Sequence, residues 1–115
     1  MSLEAGGIYR IDLDGDKKYV LVVSREELNR GNGFTSVLFT TKRLKHRATL
    51  PNCVYFSAGE FGLTEDCVAK CDDIAYTELK DVDQERGLVG KLDDWKMREV
   101  IKAIGHVIGS DCEPI

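Results

Sequence analysis

The sequence predicts a mainly β fold: a small antiparallel barrel or sandwich with a short helix between strands and a longer C-terminal helix. Seven segments rich in β-branched and aromatic residues carry that prediction. They run Gly7 to Leu13, Tyr19 to Val23, Phe34 to Thr41, Cys53 to Ser57, Cys67 to Cys71, Ile74 to Leu79 and Leu88 to Leu92. Turn formers separate them, at Asp14-Gly15-Asp16, Arg30-Gly31-Asn32-Gly33, Pro51-Asn52 and Ala58-Gly59 through Gly62. Short strands at this spacing suit a small closed or stacked sheet.

The first helix is predicted from Arg25 to about Arg30, where Ser24 and Glu27 have the spacing of a capping box. The second is longer. Asp93 is placed to cap it, Leu92 and Met97 to form a hydrophobic staple, and Met97, Val100, Ile101, Ile104, Val107 and Ile108 recur at helical spacing until Gly109. One face should pack on the barrel, with Trp95 as an anchoring core residue. The alternative for Trp95 is an oligomer interface.

At 115 residues, 43% of them hydrophobic, the chain suits one globular domain over residues 1–115, with a core at about 7–109 and a polar tail at 110–115. Apolar runs such as Tyr19 to Val23 are too short to cross a bilayer, and the N-terminus lacks the pattern of a secretory signal. A cytoplasmic protein is expected. Cys53, Cys67, Cys71 and Cys112 form no Cys-x-x-Cys pair, and on one strand Cys67 and Cys71 would lie about 13 Å apart, too far to bridge. They read as small reduced residues in or near the core. The chain has no P-loop, no dinucleotide-binding glycine fingerprint and no zinc-spaced His/carboxylate cluster, so no cofactor or metal is expected. His106 reads as a helix-terminal residue; His46 could transfer protons or simply be solvated in a loop.

Charge is distributed unevenly. Residues 1–41 carry five Lys/Arg and six Asp/Glu, residues 42–47 four and none, and residues 48–115 seven and fourteen, giving −1, +4 and −7 for a net −4. The run Lys42-Arg43-Leu44-Lys45-His46-Arg47 follows directly on the hydroxyls of Thr40 and Thr41 at the end of a predicted strand. Such a junction can grip a phosphate backbone and present small donors to it, or serve as a solvated loop that keeps a strand end soluble. The acidic remainder would repel a polyanion, which favours a defined groove over loose coating.

The order of motifs resembles the MazF/PemK/Kid toxin family. The residues concerned are Gly7 to Leu13, Val20 to Ser24 with Asn29-Arg30, Phe39-Thr40-Thr41, Gly62 to Val68, Cys71-Asp72, and Gly90-Lys91-Leu92 before the helix. The resemblance covers about Gly7 to Gly109. It implies an SH3-like barrel, usually a homodimer, acting as a metal-independent, sequence-selective endoribonuclease paired with an antitoxin. The implied chemistry is attack of an RNA 2′-hydroxyl on the adjacent phosphate, leaving a 2′,3′-cyclic phosphate and a 5′-hydroxyl.

In the MazF-like pattern an arginine before the second strand and a threonine ending the third carry the active site; here these positions hold Lys18 and Thr40. In the Kid-like pattern an arginine and an aspartate flank one residue, and here Lys70 and Asp72 match them. Strand alternation should bring that pair onto one face, close enough for an ion pair or acid/base pair. Lys17, Thr41, Lys42, Arg43, Lys45, His46 and Arg47 are the implied contacts to single-stranded RNA.

Three departures from the pattern matter. Lys18 keeps the charge of the usual arginine without its two-pronged fork. The first loop is reduced to Asp14-Gly15-Asp16-Lys17-Lys18-Tyr19. The continuation after Asp72 is Asp73-Ile74-Ala75-Tyr76, where an arginine and a threonine are expected. These changes keep open a second reading, a toxin-fold module that binds RNA or protein without cleavage. Its gyrase-poisoning CcdB form is disfavoured, because the chain ends Cys112-Glu113-Pro114-Ile115 and lacks an aromatic C-terminal tripeptide. A third reading is an interaction domain whose basic loop binds an acidic protein; an antitoxin peptide would be such a partner, laid across the RNA groove.

Overall fold

A computed structural model describes residues 3–109. Six antiparallel strands form one sheet: β1 (Gly7–Leu13), β2 (Asp16–Val22), β3 (Gly33–Thr40), β4 (Cys53–Phe56), β5 (Cys67–Glu78) and β6 (Gly90–Lys91), in the spatial order β4-β5-β3-β2-β1-β6. A four-residue helix, α1 (Leu44–Arg47), follows β3, and the long helix α2 (Asp94–Ile108) ends the described chain. Cys112 and the tail at 110–115 lie outside the described residues.

The sheet curls because its two sides demand different paths. In β5, Ile74 pairs with Val37 but Lys70 pairs with the next β3 residue, Leu38, so Cys71, Asp72 and Asp73 form a bulge. Bulges bend a strand and increase its twist. Beyond β5 the chain returns to β1, where Val82 bridges Ile11 and the Asp83 N–H donates to the Arg10 carbonyl at 2.8 Å. The curled sheet with its terminal helix is the SH3-like half-barrel that the sequence led us to expect.

Both faces are packed. On one, Ile8, Leu21, Val37, Phe39, Phe56 and Val100 share a buried cluster with α2; on the other, Leu3, Tyr9, Ile11, Val20, Phe34 and Val82 form a second. Alternation along β1, β2 and β3 feeds the two clusters in turn. The core therefore begins at Leu3, which is 1% exposed, earlier than the predicted start near residue 7.

Several local expectations hold. The Asp93 carboxylate accepts from the Lys96 N–H at 2.7 Å, Leu92 is buried in the first cluster with Met97 packed against that cluster, and Gly109 takes the left-handed conformation (φ 78°) at the C-cap. Cys67 and Cys71 are buried free thiols, and Cys53 is a half-buried one. His106 lies in the last turn of α2. Among the described residues no helix is long and apolar enough to cross a membrane.

Other expectations need correction. The segments 67–71 and 74–79 are one bulged strand, because the bulge absorbs residues that looked like a break. The segment 88–92 contributes only Gly90 and Lys91 to the sheet. The helix at 25–30 shrinks to a 3-10 turn at Glu26–Leu28, and Ser24 caps nothing there. Its hydroxyl instead pairs with the Asn29 side chain and accepts from the Thr35 N–H at 3.0 Å, tying that turn to β3. Trp95 is not a core anchor: at 72% exposure it stands in solvent, while Val100 and Ala103 are the buried residues of α2.

Candidate RNA-cleavage site

The site forms where β2 begins and β3 ends. Val20 pairs with Leu38, Leu21 with Val37 and Val22 with Ser36. Extending that antiparallel register two residues brings Lys18 alongside Thr40. Both line a cavity of about 170 Å³, together with Lys17, Thr41 and Lys42. Its far wall is Leu63, Thr64 and Glu65, and Tyr19, Phe39 and Cys67 complete the lining.

The aromatic core supports this cavity from below. Phe39 packs edge-to-face on Phe56 at 5.2 Å, and Phe56 on Phe61 at 6.1 Å. Phe61 belongs to the turn before Leu63, where Gly62 adopts φ +81° and lies against the Val89 backbone. Gly90 in turn presses on the Phe61 carbonyl, so a side chain at either glycine would overlap backbone. Leu63 is buried and its carbonyl accepts from the Gly59 N–H at 2.7 Å. The wall carrying Thr64 and Glu65 is thus anchored at its base.

Hydrogen bonding sets the chemistry of Thr40. Its Oγ1 accepts from the Lys42 N–H at 3.2 Å, which turns the chain out of β3 and leaves the hydroxyl proton free to be donated. Arg43 follows in the left-handed region (φ 54°), a conformation a bulky residue adopts only under constraint. Part of that constraint is the Arg47 guanidinium, which donates to the Lys42 carbonyl at 2.7 Å. Lys18 has its ammonium 3.4 Å from the exposed Asp16 carboxylate, and Lys17 pairs with Asp12 at 3.1 Å. Lys17, Lys18 and Lys42 share the lining with one glutamate, Glu65, and the first two are paired with carboxylates outside it.

The expected site residues divide into three groups. Lys17, Lys18, Thr40, Thr41 and Lys42 converge on the cavity. Arg43, Lys45, His46 and Arg47 lie beside it on the exposed turn and helix α1; the expected loop is helical. Lys70 and Asp72 are outside the lining, and the expected pairing between them does not form. The bulge redirects them: the Lys70 ammonium sits 3.5 Å from Asp73, and Asp72 accepts from the Asn52 amide at 2.9 Å. Strand alternation fails as a guide wherever extra residues interrupt it.

Sequence reasoning missed Glu65, Thr64, Tyr19 and Cys67 as site residues. The signal that could have found the first two was the motif Gly62-Leu63-Thr64-Glu65, whose glycine and buried leucine anchor a turn. Cys67 is inert: burial, and then the charges of Asp66, Glu65 and Glu60, push its thiol up to about 11.

A comparison with solved structures finds the same fold repeatedly. The chain is similar to an endoribonuclease solved in complex with its cognate antitoxin from a mycobacterial species, with 23% identity, a TM-score of 0.77, and coverage of 93% of this chain and 95% of that one. It is similar to the Mycobacterium tuberculosis toxin MazF-mt6, with 22% identity, a TM-score of 0.74, and coverage of 90% and 96%. It also resembles a chain of the MazE-MazF structure from Deinococcus radiodurans, at 15% identity, a TM-score of 0.74, and coverage of 95% and 97%. A comparison with curated proteins found no match. The family model of the PemK-like, MazF-like toxin of type II toxin-antitoxin systems matches residues 4–108. With nearly every described residue inside that match, and with the half-barrel and its C-terminal helix in place, the chain belongs to the PemK-like, MazF-like toxin family.

Proposed function

We propose that this chain is the toxin of a toxin-antitoxin pair and acts as a sequence-selective endoribonuclease on single-stranded RNA, without a metal ion. The observation that carries this reading is the meeting of Lys18 and Thr40 in one cavity beside Lys17, Thr41 and Lys42. In the reaction the 2′-oxygen bonds to phosphorus as the P–O5′ bond breaks, giving a 2′,3′-cyclic phosphate and a 5′-hydroxyl. Lys18 neutralises charge building on the phosphorane oxygens, and the Thr40 hydroxyl donates to one of them. Preorganised donors of this kind supply what a metal would otherwise provide.

Arg43, Lys45, His46 and Arg47 hold the strand where it leaves the cavity. The partner is an acidic antitoxin segment that covers the same basic surface; an antitoxin partner is supported by the similar mycobacterial endoribonuclease, which was solved in complex with its cognate antitoxin. We also assign a homodimer working in the cytoplasm, to which the exposed Trp95, Ile101 and Ile108 of α2 offer apolar surface.

The test is incubation of the purified protein with varied RNA in EDTA, followed by end-group analysis. Cyclic-phosphate ends are expected, with Lys18→Ala and Thr40→Ala each about 10²- to 10³-fold slower. Retention of intact RNA in a gel shift, with no product, would instead favour a silent binding module.

A further inference from the structure

Attack by a 2′-hydroxyl requires a group to take its proton, and this cavity holds few candidates. The three lysines carry no lone pair when charged, and hydroxyls such as those of Thr40 and Thr64 are poor bases. Cys67, with its thiol held up to about 11, keeps its proton at neutral pH. No histidine lines the cavity. Asp72, the acid/base candidate in the sequence, lies outside the lining and is bound to Asn52. Glu65 is the one carboxylate in the lining.

Its neighbours are occupied while Glu65 is not. The Glu60 carboxylate accepts from the Ser57 N–H at 2.7 Å and Asp66 from the Ala58 N–H at 2.8 Å, both fastening the loop to itself. Among the described residues no hydrogen bond or ion pair engages Glu65, which is exposed at the cavity mouth. Its charge nevertheless acts on the buried Cys67 thiol, so the carboxylate is close to the cavity wall. The turn that carries it is pinned by Gly62 against Val89 and by Gly90 against Phe61. A negative group on an anchored wall, facing three lysines in a site for a polyanion, weakens binding. Such a cost is expected where the group has a chemical task.

We propose that Glu65 is the general base, an assignment that rests on the nuclease reading above. Glu65 takes the 2′-hydroxyl proton as the O2′–P bond forms; the P–O5′ bond breaks and the departing O5′ takes a proton from the Lys18 ammonium. Exchange with solvent then returns both groups to their starting charges, so no co-reactant is consumed. Lys17 and Lys42 hold the non-bridging oxygens during this transfer.

The assignment predicts opposite effects on binding and chemistry. Glu65→Gln should bind 2′-O-methyl RNA as tightly as the wild type or more tightly, because a repulsive charge is gone. The same variant should cleave unmodified RNA about 10²-fold or more slowly, the usual contribution of general base catalysis. Glu65→Asp should restore part of the rate. The experiment measures both properties for the wild type and both variants, in EDTA. Wild-type cleavage with Glu65→Gln within threefold of it overturns the assignment alone. A slow Glu65→Gln whose loss follows weaker binding also overturns it. Absence of cyclic-phosphate product from the wild type overturns the nuclease reading and this assignment together.

Discussion

Thr40 owes its chemistry to the last rung of β3, where accepting the Lys42 N–H leaves its own proton to donate. Comparable local pairing governs how the protein responds to pH. The Arg10 guanidinium bonds Asp83 and holds its carboxyl below the ordinary value of 3.8, and Lys17 does the same for Asp12. Depressed carboxyls favour the fold above the unfolded-state value and stop doing so as pH falls through the folded one. The thiols act at the other extreme. Burial raises Cys67 to about 11 and Cys71 to about 12 from an ordinary 9.0. Their contribution is complete below pH 9 and is lost as pH rises through 11 and 12. Urea unfolding across pH should therefore show a plateau with two falling edges, and Cys71→Ala should flatten the alkaline edge.

At the scale of elements, two contacts outside the cavity distinguish the stability of the fold from the shape of the site. Gly90 in β6 lies against the Phe61 carbonyl, so Gly90→Ala must push the 60–65 turn away. Overpacking of this kind costs about 2 kcal/mol, and the shift should lower cleavage because it moves Glu65. Asp93 caps α2 through the Lys96 N–H, and neither residue lines the cavity. Asp93→Ala should cost about 1 kcal/mol and leave the rate of the folded protein unchanged. Thermal unfolding and cleavage assays on the two variants separate a loss of stability from a loss of site geometry.

Across the whole molecule, charge is arranged so that one basic turn projects from an acidic surface. Exchanging Lys42, Arg43 and Lys45 for Gln should weaken binding to single-stranded RNA. The slope of log affinity against log salt should flatten by about 2, since each lost phosphate contact removes roughly 0.7. Trp95 tests the exposed surface of α2. Because it is 72% exposed, Trp95→Ser should change stability by no more than about 0.5 kcal/mol in dilute protein. If α2 forms a subunit seam, the same substitution should lower the mass seen by sedimentation at higher concentration.

The sequence by itself determined the strand content, the capped C-terminal helix and the family, because periodicity, turn formers and the Asp93 and Gly109 caps act locally. It also pointed to Lys18, Thr40 and Lys42, which the structure brings into one lining. It could not determine the β5 bulge, since Cys71-Asp72-Asp73 contains neither glycine nor proline and only the pairing of β3 with β5 exposes the extra residues. From that bulge follows the fate of Lys70 and Asp72, which read as a pair and bind other partners. Trp95 misled for a related reason: its size suggests burial, but its angle on α2 turns it outward. Glu65 reaches the cavity through a turn pinned by residues 62, 89 and 90, contacts that span nearly thirty positions. Which carboxylate shares a lining with Lys18 and Thr40 was decided by that long-range packing, and no local pattern encodes it.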